Sequence, residues 1–208
     1  GDALVYDVKY TPTLQKLINP LVIKEDKLRL SPTGVQWENE TSFVITTSKS
    51  ITLFDTQKAT PKVKQQVFVE EEVVDLAIAT GTTLAAEKHR FSILLKKVIP
   101  GGDKMTVVQY RTGTLEKETT FDAPKTNALI PKTFTVGVDG TAHAFGYEDG
   151  SLVYRDKVGS LYAFGKSPDP VKKPVVSMLA RGDWILTAYS DGTVVVWTAG
   201  FQWVKTLK

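Results

Sequence analysis

The sequence predicts an all-β protein that is built from several similar four-stranded units. Apolar and polar residues alternate over strand-sized segments, threonine and valine are abundant, and glycine or proline interrupts most windows of helix length. Turn dipeptides separate these segments, and one strand-turn-strand pattern recurs along the chain. These observations favour repeated antiparallel hairpins.

Three Asp-Gly dipeptides, each flanked by alternating apolar residues, predict tight turns between antiparallel strands. They are Asp139-Gly140, Asp149-Gly150 and Asp191-Gly192. Glycine tolerates the positive φ that such a turn requires, and aspartate is a favoured turn residue. We therefore interpret these aspartates as turn residues rather than as catalytic carboxylates.

The clearest repeat aligns residues 144–154 with residues 186–197 through their Asp-Gly turns. A third copy covers residues 43–55, and a less regular one covers residues 73–121. The copies have aromatic strand ends, 56, 44 and 43 residues apart, at Phe54, Tyr110, Tyr154 and Trp197. Four-stranded units of roughly 40 to 45 residues are typical of β-propeller blades, because one such sheet buries its faces only when another blade stacks on it. The sequence therefore predicts a partial or open β-propeller of about four blades.

The chain divides into an N-terminal segment, residues 1–29, and the propeller, residues 30–208. The predicted units are residues 30–72, 73–124, 132–170 and 174–208. In the N-terminal segment, the β-rich residues 4–10 favour a strand. Four apolar residues at helical spacing predict a helix of at most about two turns over residues 13–21, where Pro20 breaks the pattern.

The second unit holds extra residues, roughly 88–104, which leave two strand registers open. In the first register they lengthen a hairpin, and a basic ribbon with an apolar core projects from one face. In the second, residues 91–98 are the third strand of the blade and residues 114–121 are an addition. The ribbon would present the candidate partner-binding residues His89, Arg90, Lys96 and Lys97. An ordinary hairpin would instead leave these side chains solvated.

Trp203 is a further candidate for partner binding because it lies on the last predicted strand. It is expected either in the core or on an exposed edge of that strand. Four units are fewer than the six to eight blades of most closed rings of this type. We therefore expect a fragment of a longer chain, or an open propeller whose edges are covered by a partner, a second copy or residues 3–10.

The segment 190–197, with its Asp-Gly turn and terminal tryptophan, resembles the repeat of the WD40 family of propellers. Phe54-Asp55 and Tyr154-Arg155-Asp156 stand at equivalent strand ends, and the resemblance covers residues 30–208. The family's Gly-His dipeptide is absent and its Trp-Asp dipeptide is reduced to Trp197-Thr198. Its Asp-His-Ser-Trp network therefore cannot form completely here. Degenerate repeats of this kind resemble the N-terminal propellers of vesicle coat and tethering subunits, which implies a scaffold within a larger complex.

Composition narrows the functions that the chain can carry. The absence of cysteine excludes disulfides, thiolate metal sites and cysteine nucleophiles, and two histidines cannot build a multi-histidine metal site. His143 is expected on a strand face or in the core. Residues 159–167 imitate a phosphate-binding loop, but their glycine spacing is wrong, so we expect no nucleotide and no cofactor. No apolar run approaches the roughly 18 residues of a membrane helix.

The function that the sequence predicts is a non-enzymatic protein-interaction scaffold that binds other protein subunits through loops and blade edges. Self-association is a further expectation. The lack of cysteine and of a signal peptide favours the cytoplasm, including the cytoplasmic surface of membranes, with a trafficking coat or tether as the setting. A net charge of +3 is too small to indicate nucleic acid by itself. The alternatives are a propeller enzyme or glycan-binding domain with a site at the central channel, and a nucleic-acid-associated scaffold.

Overall fold

The computed structural model describes two N-terminal strands by their backbone, and residues 32–38, 41–55, 61–79, 90–137 and 140–208 in full. None of these residues is helical. The N-terminal strands β1 (Ala3–Tyr10) and β2 (Gln15–Ile23) pair as an antiparallel hairpin. The helix predicted over residues 13–21 is therefore wrong. Pro20 lacks a backbone donor and β-branched residues surround it, and both features favour an extended chain that pairs with β1.

Sixteen further strands form four antiparallel sheets, each with four strands in chain order. Blade 1 comprises β3 (Pro32–Trp37), β4 (Ser42–Thr47), β5 (Ser50–Asp55) and β6 (Lys62–Phe68). Blade 2 comprises β7 (Glu72–Ile78), β8 (Arg90–Lys97), β9 (Lys104–Arg111) and β10 (Lys117–Asp122). Blade 3 comprises β11 (Thr133–Val136), β12 (His143–Gly146), β13 (Leu152–Arg155) and β14 (Leu161–Ala163). Blade 4 comprises β15 (Val175–Arg181), β16 (Trp184–Tyr189), β17 (Val194–Thr198) and β18 (Trp203–Leu207).

The four sheets are arranged as a β-propeller. The first strand of each blade contacts the first strand of the next, so that β3 packs on β7, β7 on β11, and β11 on β15. In the described part of the chain, β15 makes no comparable contact with β3. The all-β class and the open propeller of four blades are thus confirmed.

Each blade has a forward face, which points toward the next blade in the chain, and a rear face, which points toward the preceding one. Alternation along the strands places Val44 and Leu53 on the forward face of blade 1, where they pack on Ile93 and Leu95 of the rear face of blade 2. Equivalent apolar clusters join blade 2 to blade 3 and blade 3 to blade 4. In the part of the chain that the structure describes, apolar layers between successive blades therefore form much of the core.

The four aromatic residues lie on the third strands: Phe54, Tyr110, Tyr154 and Trp197 belong to β5, β9, β13 and β17. Tyr154 faces forward, toward blade 4, whereas the other three face the rear of their blades. Gly150 and Gly192 have φ values of +83° and +86°. Asp191 accepts a hydrogen bond of 3.0 Å from the amide of Thr193, and this bond holds the pKa of the carboxyl below its usual value. Asp139 lies outside the described residues.

Both registers proposed for the second unit need correction. Residues 91–98 do not form the third strand, because β8 is the second strand of blade 2 and pairs with both β7 and β9. Phe91, Ile93 and Leu94 are fully buried, so no ribbon projects from the blade at this position. The segment 114–121 is not an addition, because it contributes the fourth strand, β10.

Candidate functional site

Polar side chains on the forward faces connect the first strands of successive blades. Gln36 in β3 donates a hydrogen bond of 2.9 Å to the carbonyl of Leu76 in β7, and its Oε1 accepts one of 3.0 Å from the amide of Ile78. Thr135 in β11 contacts β15 in a similar way: its Oγ1 accepts a hydrogen bond of 3.0 Å from the amide of Ala180. Each blade thus satisfies backbone groups on the next.

Asp75 is the corresponding side chain of blade 2. Its Oδ2 accepts hydrogen bonds from the Thr133 hydroxyl at 2.6 Å and the Phe134 amide at 3.1 Å, both in β11. Its Oδ1 accepts a bond of 2.8 Å from the amide of Leu76. Burial raises the pKa of Asp75, and these three bonds offset part of that rise. The carboxyl is a structural connection between two blades.

Blade 4 has leucine at this position. Gln36, Asp75 and Thr135 pair across the sheet with second-strand residues of the forward faces, namely Val44, Leu94 and Ala144. The equivalent pair in blade 4 is Leu179 and Leu186. Leu179 has no side-chain group to bind a neighbouring backbone, and it is 48% exposed. We call Gln36, Asp75 and Thr135 the inter-blade caps.

His143 lies buried between blades 2 and 3, as the sequence leads us to expect. Its Nε2 is 3.1 Å from the Ser92 hydroxyl, and its Nδ1 is 3.2 Å from the carbonyl of Thr141. The ring also meets Phe121 edge-on, with ring centroids 5.0 Å apart. These contacts assign His143 a place in the core of the interface.

A buried hydrogen bond between side chains connects two strands of blade 4. The Trp197 indole donates a hydrogen bond of 3.0 Å to the Thr187 hydroxyl, which in turn donates one of 3.4 Å to the carbonyl of Val195. Both side chains are buried. This connects the second and third strands of blade 4 through their side chains.

The candidate partner-binding residues do not form one surface. Arg90 begins β8 and forms an ion pair with Glu118 of β10, whereas Lys96 and Lys97 end the same strand. An eight-residue strand separates its ends by about 24 Å. His89 lies outside the described residues. The binding role of these four residues stays a prediction. The projecting ribbon that was expected to bring them together is not formed.

Lys96 and Lys97 line a cleft of about 580 Å³ between blades 1 and 2. Glu70, Glu71 and Glu72 line the same cleft, so its charge is mixed. Lys96 forms an ion pair of 2.9 Å with Asp103, and the hydrogen bond to that carboxylate raises the pKa of the lysine. This cleft therefore presents no coherent basic face.

Trp203 is half-buried, and it packs at the margin of the apolar layer between blades 3 and 4. Its indole donates a hydrogen bond of 3.2 Å to the hydroxyl of Thr206 in the same strand. The residue thus belongs to the margin of the core. Its role in partner binding also stays a prediction.

A second cleft, of about 390 Å³, opens between blades 3 and 4. The aromatic rings of Phe164 and Trp197 meet edge-on in its wall, with centroids 5.1 Å apart. The segment that connects β14 to β15 forms the rim and contributes Lys166, Ser167 and Pro170. Phe164 and Ser167 are partly exposed, and Lys166 and Pro170 are exposed. The cleft therefore combines an apolar wall with a polar, accessible rim.

The forward face of blade 4 carries a third, largely apolar groove of about 550 Å³. Trp184, Leu186, Val196 and Leu207 line it, with Arg181 and Lys205 among the other lining residues. This surface was not predicted from the sequence. Its signal is the apolar residue in place of a polar one on the first strand of the last repeat.

The outer blade edges, which the sequence nominates for strand pairing, differ between blades. Lysines stand on the outer strands β6, β10 and β18, at Lys62, Lys64, Lys117 and Lys205. Edge lysines oppose the addition of another strand. The outer strand β14 has only three residues, and Leu161 and Tyr162 on it are exposed. Loops and faces are therefore better candidate surfaces than edges.

Among the described residues, no group of three or more histidine, aspartate or glutamate side chains is placed to hold a metal ion. The same residues include no helix of the length and hydropathy that a bilayer crossing requires. No known protein family matches the chain, and a comparison with curated proteins finds no significant match. The propeller assignment rests on the order, pairing and packing of the strands.

Proposed function

We propose that this chain is a non-enzymatic protein-interaction scaffold, a propeller segment that works within a larger assembly. The observation that carries the proposal is the cleft between blades 3 and 4, because its apolar wall and polar rim suit an extended segment of a partner protein. An apolar partner side chain would lie against Phe164 and Trp197. Lys166 would favour an acidic residue beside it.

The cleft is supported from both sides by ordered contacts. Phe164 meets Trp197 of β17, and Tyr154 of β13 stacks on Phe201 with centroids 3.9 Å apart. The amide of Gly165 donates a hydrogen bond of 2.9 Å to the carbonyl of Phe201. A preformed wall lowers the ordering cost of binding, which favours recognition of short segments.

Affinity purification from cells with quantitative mass spectrometry tests this proposal. Lys166→Glu and Pro170→Glu change two exposed rim positions, and Lys157→Glu, at the exposed turn between β13 and β14, is the matched control. We expect proteins that the original chain and the control retain and that both rim variants lose. A set of partners that the rim variants retain unchanged would contradict the proposal.

Two further measurements separate this function from its alternatives. Binding to heparin or duplex DNA at about 150 mM salt would favour a nucleic-acid scaffold instead. Binding to a glycan array that the rim variants leave intact would favour a site at the central channel. We expect neither.

The WD40-like resemblance supports a more specific setting for the scaffold. Within the proposal, the chain is part of a trafficking coat or tether in the cytoplasm, on the surface of membranes. A fluorescently tagged full-length protein should then distribute with vesicle markers in cells. A uniform distribution that no vesicle marker shares would contradict the setting but not the scaffold.

A further inference from the structure

The forward face of blade 4 differs from the other three forward faces in its exposure. On blades 1 and 2 the central residues of this face, Val44, Leu53, Leu94 and Val107, are all 0% exposed because the next blade covers them. On blade 4 the equivalent central residue Val196 is 8% exposed, and Leu179, Trp184 and Leu207 on the same face are between 45% and 48% exposed. Trp184 and Leu207 line one groove, and exposed apolar side chains that share a groove indicate a contact surface.

This face is not built to receive another blade in the same series. Each preceding blade binds the next first strand through its inter-blade cap, and blade 4 has Leu179 at that position. A further blade would therefore leave the corresponding backbone groups of its first strand without their partner. At this position blade 4 offers an occupant an apolar contact instead of a hydrogen bond.

The rear face of blade 1 is not the complementary surface either. Phe43, Ile45 and Phe54, on its two middle strands, are 0% exposed within the chain itself. Only its margins, such as Trp37 and Val35, remain exposed. A head-to-tail contact between two copies would therefore find the centre of that face already covered.

The charges beside Trp184 are self-complementary. Arg181 and Asp183 flank the turn between β15 and β16, and both are exposed. Neither side chain forms an ion pair in the described part of the chain. In a dimer with a two-fold axis near Trp184, Arg181 of one copy would stand near Asp183 of the other, and the reverse pair would form by symmetry, while Lys205 lies among the other groove residues.

We propose that the forward face of blade 4 binds the same face of a second copy of this chain, in a two-fold symmetric dimer. Trp184, Leu179 and Leu207 form the apolar contact, and the Arg181–Asp183 pairs fix its orientation. Self-association through this face is independent of the cleft between blades 3 and 4.

The area of the forward face of blade 4 determines how strong a dimer we expect. Four strands of five to seven residues present a footprint on the order of 350 Å². Stable complexes bury about 800 Å² on each partner. The dimer is therefore expected to be weak and concentration-dependent.

Sedimentation velocity at protein concentrations from about 1 to 200 µM tests the proposal. This range covers the weak affinity that we expect from an interface of this size. The original chain should pass from monomer to dimer. Trp184→Glu should weaken association at least about tenfold, since it places a charge in the apolar contact. Trp37→Glu is the matched control, because Trp37 and Trp184 are both 47% exposed. Its association should be unchanged.

Charge reversal gives the sharper test of symmetry. Arg181→Asp and Asp183→Arg should each weaken the dimer, because each places like charges opposite one another. The double variant should restore it, since both pairs re-form with reversed sign. Leu179→Lys provides a second apolar-contact variant should Trp184→Glu unfold, as judged by circular dichroism.

Three results would overturn the proposal. The first is a monomer at every concentration. The second is equal weakening by Trp37→Glu, which would indicate a contact that involves blade 1. The third is a double charge-reversal variant that stays as weak as the single variants.

Discussion

The carboxylate of Asp75 in blade 2 accepts a hydrogen bond of 2.6 Å from the hydroxyl of Thr133 in blade 3. The interface between these blades thus contains an ionisable group, and burial destabilises the charged form of this group. Because the pKa of Asp75 is higher in the folded chain than in the unfolded one, the folded chain binds its proton more tightly.

Stability should therefore depend on pH through Asp75. The contribution of this carboxyl falls as pH rises from about 3.9, the ordinary carboxyl value, through the raised pKa of the folded state. Urea unfolding of the original chain and of Asp75→Asn across this range measures the effect. The original chain should lose stability relative to the variant as pH rises.

Asp191→Asn is the control with the opposite sign. The pKa of Asp191 is lowered in the folded chain by its bonds to Thr193, so this carboxyl stabilises the fold above the ordinary value and loses that effect as pH falls. A stability difference between the original chain and Asp75→Asn that is constant with pH would show that Asp75 does not titrate in this range.

The inter-blade cap Thr135 should matter to stability more than its equivalent in blade 4. Thr135→Val keeps the shape of the side chain but removes the hydroxyl that accepts a bond from the amide of Ala180, and loss of this bond should cost about 1 kcal/mol in the free energy of unfolding. Leu179→Thr, at the equivalent exposed position, should change it by no more than about 0.5 kcal/mol. Equal changes in the free energy of unfolding for the two variants, measured by denaturant titration at low protein concentration, would contradict a stabilising role of Thr135.

The Trp197–Thr187 hydrogen bond should couple two strands of blade 4. In a double-mutant cycle of Trp197→Phe and Thr187→Val, we expect a coupling free energy of about 1 kcal/mol. The same cycle on Trp203 and Thr206, which are less buried, should give less than about 0.5 kcal/mol. A coupling near zero for the first pair would show that its bond does not stabilise the fold.

Gly150 and Gly192 occupy equivalent turns but should respond differently to alanine. Both have positive φ, so each substitution should cost about 1 to 2 kcal/mol of backbone strain. A Cβ at Gly150 would also stand 2.4 Å from the carbonyl oxygen of Val171, whereas none at Gly192 meets an atom within 4 Å. Thermal unfolding should therefore show the larger loss for Gly150→Ala, and equal losses would contradict the close approach.

The propeller could be predicted because its signals are local and periodic. The Asp-Gly turns and the aromatic residues from Phe54 to Trp197 specify hairpins within each unit, and their spacing specifies the repetition. The register of blade 2 could not be predicted, because a long connection precedes β8 and the apolar run 91–95 suits any inner strand.

The inter-blade caps were not predictable for a different reason. Gln36, Asp75 and Thr135 share a position but no residue type, and their equivalence becomes visible only once the strands are paired. Helical spacing in residues 13–21 was misleading, because four apolar residues fit either period over so short a span. The exposure of Trp184 could not be predicted either, because it depends on which blade faces pack against another blade in the folded chain.

The caps all point one way along the polypeptide, from each blade to its successor. During synthesis, the side chain that will hold a new inner strand has therefore already been made when that strand leaves the ribosome. A substitution at one cap would therefore remove a contact that the next blade finds already in place when it is synthesised.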